Sequence, residues 1–212
     1  DSLCLPEGSD NAPTTTVLIG YLTILARVCF NNQSVYMELI RHYSTTKATE
    51  TNLGDTFFKV VKLWITKFQE VGNTAAGPWR RKLWAVVLCA SLTMEHEELL
   101  RTSVASILSI CIQVFEELGS DKGSSLALER YDLPPESNSA NYFTRKRELF
   151  LSDPVVNTDI RMVLNESLYR CEQSIGSANF EALVMKDSAA YEAIVRDMDL
   201  PTRPCPPNQL QS

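Results

Sequence analysis

Only two histidines occur in the 212 residues, His42 and His96, and neither stands in an H-E-x-x-H arrangement, so no metalloprotease-type zinc site is written in the chain. The six cysteines (Cys4, Cys29, Cys89, Cys111, Cys171 and Cys205) contain no C-x-x-C pair, the wrong spacing for structural zinc, and a disulfide framework is the minor reading. Four of them fall on apolar helix stripes, where a free thiol behaves as a small hydrophobe. Reduced, buried thiols of a cytosolic or nuclear protein are therefore expected. Lys and Arg number 20 against 26 Asp and Glu, a net charge of −6. That balance argues against general nucleic-acid binding, which depends on clustered cations, and favours basic protein partners.

Long apolar runs are missing too. The least charged stretches, 11–26 and 102–115, are interrupted by Thr, Ser or Gly and fall short of the ~20 apolar residues of a membrane span. The opening Asp1-Ser2-Leu3-Cys4 lacks the basic n-region of a signal peptide. It also lacks an initiator Met, which fits either a cut fragment or a processed start. Gly119-Ser120-Asp121-Lys122-Gly123-Ser124-Ser125 lacks the spacing of a phosphate loop and follows a helical pattern where that motif needs a strand. No serine is marked as activated by a His–acid partner. The chain reads as a non-enzyme without cofactor or metal.

What is present is helical periodicity throughout. Residues 14–16 can cap a first helix whose Val17, Leu18, Ile19, Leu22, Ile24, Leu25 and Val28 cover almost its whole circumference. A helix apolar all round is buried on more than one side, so preceding repeats are expected to pack on it. Ser34 opens a shorter helix to Tyr43. Asp55 is placed to cap a third helix, in which Phe57, Val60, Val61, Trp64, Phe68 and Val71 recur at spacings of three and four. Pro78 suits the first turn of a fourth, continuously apolar from Leu83 to Ala90 and so central. Leu100, Val104, Ile107, Leu108, Cys111, Phe115 and Leu118 stripe a fifth, ended by Gly119. Its acid-rich start, Glu95-His96-Glu97-Glu98, suits a solvated helix N-terminus better than a metal site.

The expected organisation is a flexible lead-in at 1–13, helix pairs at 14–118 and a polar, partly disordered excursion at 119–140, with a short turn near 126–131. A basic short helix plus a capping hairpin follows at 141–198, then a disordered Pro-rich tail at 199–212. In the hairpin, one helix runs from Ser152-Asp153-Pro154 to Gly176 and a second from Ser177 to about Met198. Val156, Ile160, Val163, Leu164, Leu168, Cys171 and Ile175 line the first; Phe180, Leu183, Val184, Tyr191, Ile194, Val195 and Met198 line the second. Glu181, Lys186, Glu192 and Arg196 occupy the opposite face, the pattern of a capping repeat. Pairs recur at about 40 residues, within the HEAT range. The fold class is thus all-α, an α-α superhelix of HEAT-like antiparallel pairs.

Several features in this order resemble the importin-β (karyopherin-β) superfamily, in particular the carboxy-terminal region of its importin-eleven branch. They are the Lys82-Leu83 helix, Phe115-Glu116-Glu117-Leu118, the polar excursion, Thr144-Arg145-Lys146-Arg147, Asp153-Pro154-Val155 and Gly176 followed by Asn179-Phe180. The likeness runs from about Asp55 to Met198. It implies a receptor that binds protein cargo, crosses the nuclear pore by contacts with pore proteins and releases cargo to Ran-GTP, shuttling between cytoplasm and nucleus. It transfers no residue-level site. The exposed acids of the last pair, Glu181, Asp187, Glu192 and Asp197, are the cargo-contact candidates, suited to a basic cargo. A helical scaffold unrelated to transport is the alternative. Arg145-Lys146-Arg147 and Trp79-Arg80-Arg81-Lys82 are further basic runs that read either as contact sites or as ordinary helix faces.

Overall fold

A computed structural model describes residues 14–46, 53–71, 77–94, 97–118, 145 and 148–210. Every regular element among them is helical: α1 (Thr15–Asn31), α2 (Gln33–Thr46), α3 (Leu53–Val71), α4 (Gly77–Ser91), α5 (Glu97–Glu117), α6 (Pro154–Asn157), α7 (Ile160–Ile175), α8 (Ser177–Val184) and α9 (Ser188–Asp197). Short 3-10 turns lie at Met185–Asp187 and Pro207–Gln209. The chain is an all-α array of stacked helix pairs. The polar excursion, the turn near 126–131, Gly119 and the lead-in fall outside the described residues. The basic short helix does so in part, with 145 and 148–151 helical.

The apolar stripes pack as their spacing predicts. All six stripe residues of α3 and all seven of the α5 stripe are buried, as is the unbroken run from Leu83 to Cys89. Such a run has no solvent side, so α4 must be surrounded, and it packs against α1, α3, α5, α6 and α7. Trp64 on α3 reaches α1, donating its indole N–H to Leu22 O at 3.0 Å, and Tyr36 of α2 stacks on the same indole at 5.9 Å. Cys89 and Cys111 meet between α4 and α5 with Sγ atoms 3.3 Å apart, both as free thiols. The helix Glu98–Glu117 is long and apolar enough, by length and composition, to cross a bilayer, which corrects the reading of the 102–115 stretch as too short. Its apolar stripe faces α3, α4, α7 and α9, which makes it a core helix.

Helix starts follow local chemistry, with two shifts. Asn32 separates α1 from α2 as one extended residue, and its side chain accepts the Val35 N–H at 3.1 Å. Helix α3 begins at Leu53, ahead of the expected cap, so Asp55 stands inside the first turn, where its charge suits the helix N-terminus. On the outer side of α1, Val17, Tyr21 and Ile24 remain exposed, as do Val35 and Leu39 of α2.

The terminal hairpin departs most from expectation. The helix foreseen from Ser152 to Gly176 breaks at Thr158 and Asp159 into α6 and α7. Asp153 caps α6 through Val155 N–H, and Asp159 starts α7 afresh through Arg161 N–H, both at 2.9 Å. An unbroken helix would give the Val156 carbonyl to Ile160 N–H. Here it accepts instead from Lys82 Nζ at 2.8 Å. Lys82 has no exposed surface, and an amine that deep needs an acceptor; the break supplies one. The second hairpin helix is also interrupted, by the 3-10 turn ending at Asp187, which caps α9 through Ala190 N–H at 3.2 Å.

The tail expected to be disordered is a packed strap over 199–210. Asp199 takes φ +50°, and Leu200 N–H returns to Val195 O at 2.9 Å while Asp199 N–H reaches Arg196 O, the hydrogen-bond pair of a Schellman stop. Leu200 and Pro204 are buried. Asn165, on the core side of α7 and 1% exposed, donates to Cys205 O at 2.8 Å and accepts Cys205 N–H at 3.3 Å. A backbone satisfied by a side chain needs no secondary structure to be ordered.

Gly176 closes α7 and opens α8 at φ +82°, ψ 150°, a region nearly closed to other residues, and a Cβ there meets nothing within 4 Å. Gly176→Ala should therefore cost about 1–3 kcal/mol through backbone strain alone, which chemical denaturation of the variant beside the parent chain checks. Burial pushes the Lys82 pKa from 10.5 down to about 8, with Asp159 opposing. Below about pH 8 the ammonium is charged in both states and its desolvation penalty is complete. Between about 8 and 10.5 the folded chain releases the proton first, and the penalty is relieved. Relative to Lys82→Met, the parent chain should thus gain up to about 3 kcal/mol as pH rises through this window, read from the difference between the two unfolding profiles.

Candidate partner-binding surface

Helices α8 and α9 meet at the 3-10 turn and, with the strap, enclose a groove of about 370 Å³. Phe180, Val184, Tyr191 and Val195 supply its apolar lining, and Phe180 meets Tyr191 edge-on at 6.4 Å. Charges stand around it in opposed pairs: Glu181 and Glu192 against Arg196 and Arg203. Burial raises the Tyr191 pKa, helped by Glu172 and opposed by Arg203, so the phenol stays neutral and can donate; it lies 3.4 Å from Thr202 O.

The four acidic candidates do not form one patch. Glu181 and Glu192 line the groove. Asp187 is held as the α9 cap. Asp197 pairs with its neighbour Arg196 at 2.8 Å. Glu181 in turn is engaged by Arg203 at 3.1 Å, and the same guanidinium lies 3.9 Å from Glu172. Glu172, 7% exposed, also accepts from Ser177 Oγ at 2.7 Å.

A second groove, of about 430 Å³, lies on the other side of α8, where α5 and α7 approach it. Leu100, Ile175 and Leu183 line it, with Arg101 and Lys186 as its charges. The two grooves thus differ in electrostatic character, mixed and cationic, across a single eight-residue helix.

The basic run at the start of α4 is drawn inward. Trp79 lies under Arg27, 4.8 Å from guanidinium to ring, and Arg27 reaches on to Asp153 with two contacts at 2.9 and 2.5 Å. Burial works to raise the Asp153 pKa, but the Arg27 hydrogen bond and the Val155 N–H hold it below the usual carboxylate range. Arg81 covers Phe68 at 4.3 Å and pairs with Glu117 at 2.9 Å, and Lys82 is buried against Val156 O. These side chains join α1, α3, α4, α5 and α6 to one another. Of Arg145-Lys146-Arg147, only Arg145 is described, and it is exposed.

Sequence reasoning missed Asn165 and Arg203. Asn165 carried a usable signal: a polar residue beside Leu164 and Leu168 on a buried face, which needs a partner. Arg203 carried none, because it sits among Pro201, Pro204, Pro206 and Pro207 with no periodicity around it. Among the described residues no group of three or more His, Cys, Asp or Glu is placed to hold a metal ion. Among the described residues, the grooves on either side of α8 and the paired charges around one of them are the surface features of this end.

Residues 7–196 match the family model described as Importin-11-like, TPR repeats. Importin-11 of Mus musculus is 19% identical over 176 residues, an alignment that covers 77% of this chain and 17% of the mouse protein. No solved structure matches. The family description names TPR repeats where a spacing of about 40 residues points to HEAT; both are antiparallel helix pairs stacked side by side. With most of its length inside that match, and with helix pairs as its architecture, the chain belongs to the Importin-11-like family.

Proposed function

We propose that this chain is part of a nuclear transport receptor and holds protein cargo on its helical surface. The observation that carries the reading is the family match over 7–196. In the whole protein, Ran-GTP governs cargo release and pore proteins carry the receptor between cytoplasm and nucleus. The chain's own share is cargo contact along α8 and α9, through Glu181, Asp187, Glu192 and Asp197. Its acidic balance, −6 over 212 residues, supports a basic cargo through long-range attraction. The exposed Val17, Tyr21 and Ile24 of α1 suit a neighbouring helix pair of the same array.

Two measurements test this. Partners captured on the whole protein should be shed when GTP-locked Ran is added; partners indifferent to Ran would favour a plain scaffold. For the surface itself, Glu181→Lys, Glu192→Lys and Asp197→Lys are combined with Asp187→Asn, which keeps a capping side chain on α9. At about 0.2–1 kcal/mol for each exposed pair, capture of a basic cargo should weaken by about 1–4 kcal/mol, more at low salt than at high. Circular dichroism should be unchanged. Capture that survives the four changes would remove this face from consideration.

A further inference from the structure

Beyond Met198 the chain is a peptide lying on its own receptor-like surface. Its Pro207–Gln209 turn packs on α7, and the four prolines between 201 and 207 remove the backbone donors at their own positions. Past the two backbone bonds of the Schellman stop at Asp199 and Leu200, its polar attachment is made by side chains of α7, α8 and α9. Asn165 grips one residue by both backbone groups, accepting Cys205 N–H and donating to Cys205 O. Two residues earlier, Arg203 points back to Glu181 and the buried Glu172. Tyr191 lies against Thr202 O, and Pro204 fills a buried position between these contacts.

None of these contacts depends on the peptide being joined to α9. The Asn165 amide reads the two backbone groups of one residue, and the acids read a guanidinium two residues before it. Any chain with an Arg at that spacing, its backbone restricted by proline, meets the same recognition chemistry. Arg203 is 64% exposed, so its guanidinium can leave Glu181 and Glu172 without unfolding the helices beneath. Beside the strap lies the groove of Phe180, Val184 and Tyr191, with Thr202 and Arg203 forming part of its lining. Lifting the strap therefore frees the acids and widens the groove together.

We propose that residues 199–210 occupy, within the same chain, a docking surface on α7–α9 for an Arg-containing and Pro-rich segment of a partner protein. The strap and the partner segment compete, so partner affinity falls in proportion to the fraction of time the strap is down. The proposal rests on the reading of α8 and α9 as a contact surface. Its test uses no cargo and no Ran, so failure here leaves the transport reading to its own experiments.

The probe is a fluorescein-labelled synthetic peptide copying residues 199–210, measured by fluorescence anisotropy against the full chain and its Arg203→Glu variant. Like charges against Glu172 and Glu181 should lift the strap. Hydrogen exchange in 199–210 should rise while α7–α9 stay protected, and the peptide should bind the variant about tenfold or more tightly than the parent. Adding Asn165→Ala should abolish that binding, as should reversing the arginine in the peptide. Equal binding to parent and variant would overturn the proposal, as would no binding to either. Unchanged exchange over 199–210 in the variant would show that Arg203 is no latch, and the proposal would fall with it. Dimers formed by mutual strap exchange, without peptide binding, would assign the surface to a second copy and overturn the partner assignment.

Discussion

The Lys82 ammonium lies without exposed surface at the centre of the array, and the carbonyl it reaches, Val156 O at 2.8 Å, exists as an acceptor only because a helix stops there. A buried cation without a partner costs several kcal/mol, and a buried carbonyl left unpaired costs about 1–3 kcal/mol. Each group therefore requires the other. Their bond fixes where α6 ends, hence the angle at which α7 sets off and the position of everything after it. From the outer side the Arg27–Asp153 pair grips the same one-turn helix and joins it to α1. Two cations, one buried and one half-buried, thus connect the beginning of the chain to its terminal hairpin.

This division of labour explains why the basic residues of α4 present so little charge to partners. Arg81 and Lys82 are committed to Glu117, Phe68 and Val156, and Trp79 to Arg27. On α8 and α9 the exposed charges pair locally instead, Glu181 with Arg203 and Asp197 with Arg196.

The stripes of α3, α4 and α5 were legible in the sequence because burial there is one-dimensional: a residue's position on its own helix decides its fate. The break at Thr158 and Asp159 was not legible. The stripes before and after it are in phase, and the group that decides the matter stands 74 residues away on α4. The strap was hidden for a related reason. Proline-rich composition reports only what a segment cannot do by itself, whereas the order over 199–210 is supplied by Asn165. Sequence reasoning expected all four acidic candidates to be exposed, and all four are. It had no means of pairing Glu181 with Arg203, since the two are brought together only by that same strap.

Cys89 and Cys111 touch at the interface of the two most buried helices, each without exposed surface, and the Cys89 thiol is held well above its usual pKa by the Cys111 hydrogen bond and by burial. Alkylating reagents attack thiolates in contact with solvent. Neither sulfur satisfies that condition until α4 and α5 separate. The rate at which this pair is labelled is therefore a clock for the opening of the array's interior, built in without any added probe and readable in the presence of a bound partner.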